Sequence, residues 1–273
     1  MYLLEGFYVL HTRKSAKSHE ILRKFESKWV RTLLVPLFKK GDKRDPSNYR
    51  PISLTSVVCK VLERLIRDHL MNHLKMNNLL SNKQYGFIPG RSVSLQLLTV
   101  MNDWTKTLDK GESVDVIYLD FLKAFDSVPH RRLIHKLKSL GVHTQIIQWI
   151  ENFLTGRTQK VVYNGYNSAA ETVGSGIPQG TVIGPGSFLT FIDDITDDID
   201  SAIYLFADDT KAYRSINQFH DCNQLQSDID KLVQFAPLIC TSFISTLRIF
   251  ARRASGPIRV YVMSMAVNFA YKH

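Results

Sequence analysis

Cysteine is scarce in this 273-residue chain, which has three, at Cys59, Cys222 and Cys240. They are far apart, odd in number and without a CxxC or Cys/His spacing, so neither a disulfide framework nor a zinc site is implied, and a reducing compartment fits. Long apolar runs are missing too. No stretch reaches the roughly 20 apolar residues that a membrane span needs. The opening MYLLEGFYVLH carries Glu5 and has no basic residue ahead of its apolar run, unlike a secretory leader. An intracellular protein, cytoplasmic or nuclear, with no membrane partner is expected. Internal repeats, low-complexity segments and long runs of one charge sign are also lacking, which excludes repeat architectures and charged tails.

What is present points to a globular fold. At 44% hydrophobic and 11% aromatic the chain can bury a sizeable core, as one large domain or two intimate subdomains. Its 35 Lys and Arg outweigh 25 Asp and Glu, for a formal charge of +10 at pH 7. A basic surface of this kind favours a polyanion, because neutralising phosphates releases condensed counterions.

The pattern of apolar residues gives a sequence of elements. A strand is expected over Arg31 to Phe38, stopped by the turn-rich GDKRDPSNYRP. Leu62, Leu65, Ile66, Leu70 and Leu74 recur at helical spacing, as do Leu95, Leu98 and Met101 within a helix from Ser92 to Leu108. Between these helices QYGFIPGRS, with Gly86, Pro89 and Gly90, breaks any regular element. The β-branched run SVDVIYLDF, 113 to 121, predicts a buried strand that brings Asp120 to its end. Helices over His130 to Leu140 and Thr144 to Leu154 are each closed by a glycine, Gly141 and Gly156. TQKVVY turns through Asn164-Gly165. SAIYLF, 201 to 206, and Thr210 to Tyr213 form a second hairpin with Asp208 and Asp209 at its tip, and a helix from about Gln218 to Phe235 follows.

Three carboxylates stand out because nucleotide transfer uses magnesium held by hard oxygen ligands on rigid elements. Asp120 at a strand end and Asp208-Asp209 at a hairpin tip can converge if their strands are neighbours. Taken alone, Asp-Asp is ordinary hairpin punctuation and Asp120 an ordinary strand terminator. A second acidic pair, in Phe191-Ile192-Asp193-Asp194, has nearly the same letters as Phe206-Ala207-Asp208-Asp209. There Phe188, Ile192, Ile195 and Ile199 step by four, three and four, a helical face that turns Asp193 and Asp194 toward solvent.

The ordered set NYRPISL, QYGFIPGRS, YLDFLKAFDSVPH, SGIPQGTVIGP and LFADDTKAY resembles the reverse transcriptase domain of non-LTR (LINE-like) retrotransposons, over roughly Trp29 to Phe235. The resemblance implies an α+β right-hand polymerase, with fingers and a palm whose antiparallel sheet is backed by helices. It implies RNA-directed DNA polymerisation from dNTPs onto a DNA primer along an RNA template, with two Mg²⁺ ions and Mn²⁺ as a substitute. Asp120, Asp208 and Asp209 resemble the metal-binding catalytic carboxylates. The backbone of Phe121 and Leu122 resembles the part that faces the triphosphate, and Phe125 the aromatic gate that crowds a ribose 2′-hydroxyl. Gln179 and Gly180 resemble residues close to the nucleotide and template, Arg50 and Lys60 the fingers positions that hold triphosphate, and Arg91 a contact to template backbone. On sequence alone Phe125 is equally core and Gly180 equally a turn residue, while each of the three basic residues taken alone reads as a solvated side chain.

The resemblance fades at both ends. Residues 1–28 and 237–273 are expected to be unmatched segments around a 29–236 fingers and palm domain. The tail resembles unrelated readthrough instead of the family's thumb, which is expected to be missing or incomplete, and no nicking domain is expected. Inside the match Leu122 replaces a usual small polar residue and Gly186 a usual large apolar one. An inert relic that keeps the fold and a basic groove is the rival reading. An RNA-templated RNA polymerase is disfavoured by the bulk of Phe125 and by FADD in place of GDD.

Overall fold

A computed structural model describes residues 31–121, 123–239 and 257–265. Its strands in chain order are β1 (Arg31–Phe38), β2 (Tyr49–Leu54), β3 (Ser113–Phe121), β4 (Thr158–Tyr163), β5 (Tyr166–Asn167), β6 (Glu171–Thr172), β7 (Ala202–Phe206), β8 (Asp209–Ile216) and β9 (Ile258–Met265). The chain divides into two compact units, 1–74 with 130–184 and 75–129 with 185–273. Among the described residues no helix is long and apolar enough to cross a membrane.

In the first unit the sheet runs β2-β1-β4-β5, with β6 also on β4. β1 and β2 are antiparallel, Val35 opposite Ile52 and Leu37 opposite Arg50. The β4–β5 hairpin forms as its sequence predicts. Asn164 (φ 49°) and Gly165 (φ 80°) are both left-handed, the requirement of a tight turn matched to strand twist. The helices Val57–Met76, His130–Ser139 and Thr144–Leu154 bury one face each, through Leu70 and Leu74, Leu133 and Leu137, and Ile150 and Phe153. The 3.6-residue period makes those apolar positions a stripe, and burying it supplies most of the stability of short helices. Nε2 of His73 lies 2.9 Å from the Leu140 carbonyl, tying the first helix to the end of the second.

Three ionisable side chains in this unit, Cys59, Glu63 and Arg157, are sealed in. Glu63 is fully buried and its carboxylate accepts the N–H groups of Val182 and Ile183 and the Cys59 thiol. Burial, then the nearby Glu63 charge, pushes the Cys59 thiol far up. Arg157, also buried, donates to the Thr32 hydroxyl and lies 5.2 Å over the Phe153 ring.

The second unit holds a sheet ordered β7-β8-β3-β9. Its first three strands are antiparallel, and β9 adds to β3 in parallel, from Val114 opposite Ile258 to Phe121 opposite Met265. The buried Asp115 carboxylate receives Arg259 at 2.6 Å, which fastens that strand. Residues 258–265 thus join the sheet, although the sequence marks 237–273 as unmatched. The Val93–Asp109 helix begins at the N-cap Ser92 and lays Val100 and Trp104 on Val114, Val116 and Tyr213. Tyr213 donates its hydroxyl to Asp103 on that helix at 2.7 Å.

The second acidic pair behaves differently from its sequence expectation. Asp193 and Asp194 are half-buried in a 3-10 turn after the Gly184–Ile192 helix, and Asp193 accepts the Ser81 N–H at 2.6 Å. Phe188, Leu189, Phe191 and Ile192 are all buried, so this helix has no solvent face to offer the acids.

His130 yields a pH prediction. It is buried, with Nε2 2.8 Å from the Gly176 carbonyl, and burial lowers its pKa from the ordinary 6.5. The unfolded chain therefore takes the proton first, and stability is full above about pH 6.5 and falls as the pH drops below it. Denaturant unfolding at about pH 7.5 and 5.5 should show this loss in the wild type, with a smaller loss in His130→Gln.

Candidate active site

The carboxylates are placed by strand register. β3 and β8 pair from Ser113 opposite Ile216 to Leu119 opposite Thr210, and continuing that register by one residue sets Asp120 level with Asp209. Side chains alternate across a strand, so directly opposed residues share a face. That face starts in the core with Val116 opposite Tyr213, continues through Tyr118 opposite Lys211, and ends at the exposed Asp120 and Asp209. Lys211 is buried, its ammonium 5.2 Å from the Tyr118 ring centre, and burial lowers its pKa. A charge gradient from apolar core to open carboxylates thus runs along the paired strands.

Asp208 enters through a tight turn. Phe206 pairs with Asp209, which leaves Ala207 and Asp208 as the two-residue loop. Ala207 is left-handed, φ 57°, a conformation that costs a residue with a Cβ roughly 1–2 kcal/mol. Segment 83–86 braces this turn. Tyr85 donates its N–H to the Leu205 carbonyl at 2.7 Å, and Leu205 donates to the Lys83 carbonyl at 3.0 Å. The Gln84 side chain accepts from Ala207 N–H at 2.9 Å and from Gly86 N–H at 2.8 Å. Gly86 itself has no room for a side chain, since a Cβ there would stand 2.3 Å from the Ala207 nitrogen.

The donor set suits magnesium, being three carboxylates with no thiolate or imidazole. Among the described residues no three His, Cys, Asp or Glu side chains are gathered closely enough to hold a metal by themselves. Mg²⁺ generally binds through one or two carboxylates and completes its shell with water and substrate phosphates.

Comparison with known proteins follows from this geometry. Residues 38–236 match the model of the family described as reverse transcriptase (RNA-dependent DNA polymerase). The chain belongs to the reverse transcriptase family. It is 30% identical over 222 residues to the RNA-directed DNA polymerase from mobile element jockey of Drosophila melanogaster, covering 78% of this chain and 24% of that protein. It is 28% identical over 167 residues to the Pol polyprotein of a type-1 retrotransposable element R2 of Popillia japonica, covering 61% of this chain and 23% of that one. The chain therefore spans about a quarter of the length of these relatives and carries their reverse transcriptase domain. Telomerase from Candida tropicalis, an apo form truncated from its C-terminal domain, shares the fold at a TM-score of 0.51 and 10% identity, over 77% of this chain and 48% of that one. This is a fingers and palm fold, and the family's chemistry generally depends on divalent metal.

The remaining reverse transcriptase positions fall on both units. Phe121 is buried, leaving only its backbone for contact, and Leu122 lies outside the described residues. The half-buried Phe125 ring stacks on Phe188 at 4.1 Å and meets Phe87 edge-on at 6.4 Å. In the first unit Arg50 on β2 and Lys60 on the Val57–Met76 helix are exposed. The Gln179 carbonyl accepts the Ser53 N–H at 2.8 Å, and Gly180, φ 88°, sits where a Cβ would stand 3.0 Å from Ile52. Gly180 is thus a close-packing glycine at a left-handed position that a residue with a Cβ would occupy only under strain. Nη1 of Arg91 is committed to the carbonyls of Ser81, Asn82 and Gln84, with the guanidinium 5.4 Å from the Tyr85 ring centre.

Gln84, Gly86 and Glu63 are the supporting residues that sequence reasoning missed. The two glycines and proline of QYGFIPG mark a turn, but nothing in the letters says which backbone it presses against. Gly86→Ala should overpack the Phe206–Ala207 peptide and cost about 1–3 kcal/mol. Thermal unfolding should report that as a fall of roughly 2–4 °C per kcal/mol.

Proposed function

We propose that this domain joins dNTPs to a primer 3′-hydroxyl along an RNA template, with Asp120 and Asp208 as the principal holders of two Mg²⁺ ions and Asp209 beside them. The observation that supports this reading most is the register that sets Asp120 level with Asp209 next to the turn carrying Asp208. Bound Mg²⁺ supplies charge stabilisation at phosphorus and lowers the pKa of the attacking hydroxyl. The protein's own part is preorganisation. β3 and β8 hold the carboxylates at their ends, so little reorganisation is needed when charge develops in the transition state. Phe125, fixed by its stack on Phe188, crowds the position of a ribose 2′-hydroxyl. By family resemblance, position by position, Arg50 and Lys60 match residues that hold triphosphate, the backbone of Phe121 and Leu122 the part that faces it, Gln179 and Gly180 residues close to nucleotide and template, and Arg91 a contact to template backbone. An RNA template and DNA primer are the partners this reading requires, inside the cell, with 29–236 as the working domain and Mn²⁺ able to replace Mg²⁺.

Two outcomes test it. Primer extension on a homopolymer RNA template with Mg²⁺ and one dNTP should proceed in the wild type and fall by about a thousandfold or more in Asp120→Asn and Asp208→Asn, since a metal-holding charge is lost. No incorporation at any salt or metal concentration would instead support an inert relic. Phe125→Ala should raise ribonucleotide incorporation relative to deoxyribonucleotide. A core role alone would lower stability and leave that ratio unchanged.

A further inference from the structure

The second unit contains a buried amide that no part of the proposed chemistry uses. Gln84 is completely buried and its backbone forms an isolated parallel bridge to Leu205. Its Oε1 accepts two backbone N–H groups, from Gly86 and Ala207, and its Nε2 lies 3.5 Å from the Ala207 carbonyl. One side chain thus engages both backbone polar groups of the same left-handed residue, Ala207. Gln96, from the Val93–Asp109 helix, adds a bond from its Nε2 to the Leu205 carbonyl at 3.0 Å.

We propose that Gln84 is a positioning residue, which holds Ala207 left-handed and thereby fixes where the next residue, Asp208, presents its carboxylate. This deepens the polymerase reading and rests on it. A left-handed alanine survives only where its surroundings over-determine it. The surroundings here are the Gln84 amide on one side and the Gly86 backbone on the other. Loss of the amide leaves two buried N–H groups, of Gly86 and Ala207, without their acceptor, and a buried donor left unsatisfied is costly. The cheapest relief is for the turn to relax toward the ordinary right-handed region, which rotates the peptide leading into Asp208. A displacement of about 1 Å at a reacting group costs on the order of a hundredfold in rate. An amide is needed because its oxygen can accept twice while its nitrogen donates; an apolar isostere keeps the volume and loses all three.

The test uses the full chain, with Gln84→Met, Ala207→Gly and the two combined. Hydrogen exchange of peptides covering 204–210 reads the turn without any need for activity. The Gln84→Met variant should exchange there about 10- to 100-fold faster, with the His130–Ser139 helix unchanged as a control of global folding. In primer extension Gln84→Met should lower kcat about 10- to 100-fold and raise the Mg²⁺ concentration for half activity, while KM for the dNTP moves less than about threefold. Adding Ala207→Gly to Gln84→Met should restore part of kcat, because glycine adopts the left-handed turn without help. Unchanged exchange at 204–210 in Gln84→Met would overturn the proposal. So would faster exchange with kcat and metal dependence unaltered, which would make the amide structural only. A wild type that incorporates nothing sinks the polymerase reading, and the exchange arm still decides whether Gln84 holds the turn.

Discussion

The geometry of the site depends on one left-handed alanine. A two-residue loop joining β7 and β8 is the only way for Phe206 to pair with Asp209 while both strands keep their register. That register in turn carries Asp209 level with Asp120 across β3 and β8. If Ala207 took its intrinsically preferred conformation, the hairpin would splay or slip. A slip of one residue in a strand sends every side chain to the other face, which would take Asp209 off the face it shares with Asp120. The strain at Ala207 and the bracing segment 83–86 are therefore two halves of one arrangement. The handedness places the carboxylate, and the Gln84 amide with the close approach of Gly86 holds the handedness.

The first unit applies the same logic with charge. Glu63 is buried and its oxygens accept the backbone N–H groups of Val182 and Ile183, just ahead of the Gly184–Ile192 helix, with the buried Arg157 guanidinium interacting with it electrostatically. A carboxyl group buried in this way is tolerable because it accepts amide hydrogens at a helix start, where the peptide dipoles favour negative charge. The bond fixes the segment that contains Gln179 and Gly180 at one end, while Ser53 N–H to the Gln179 carbonyl fixes it against β2. Both segments brought forward by family resemblance are thus held by buried polar bonds to backbone and not by apolar packing alone.

Most of the element order was legible because its signals are local. The strands Arg31–Phe38 and Ser113–Phe121 and the Asn164-Gly165 turn follow directly from apolar and β-branched runs and from left-handed preference. The three carboxylates were legible as residues at a strand end and a hairpin tip, though their choice over Asp193 and Asp194 rested on context and resemblance. What could not be read is non-local. A helical period over Phe188, Ile192, Ile195 and Ile199 implies a solvent face, and only the assembled fold shows that the Gly184–Ile192 helix is covered nearly all round, with Asp193 capping the distant Ser81 amide. Nor does any local pattern reveal that Ile258–Met265, in a segment without family likeness, lies parallel to β3 with Arg259 on Asp115. The roles of Gln84 and Glu63 were hidden for the same reason, since a polar letter does not announce the backbone it will satisfy.

In the proposed function metal is held between the end of β3 and the β7–β8 turn. Substituting Fe²⁺ for Mg²⁺ and generating hydroxyl radicals in the presence of ascorbate and peroxide cuts the backbone nearest the bound ion, so the sites of cutting map the metal directly. The account predicts cleavage clustered near residue 120 and near residues 207–209, suppressed by excess Mg²⁺ and lost in Asp120→Asn. Cleavage centred on residues 193–194, or uniform cleavage indifferent to Mg²⁺, would contradict it.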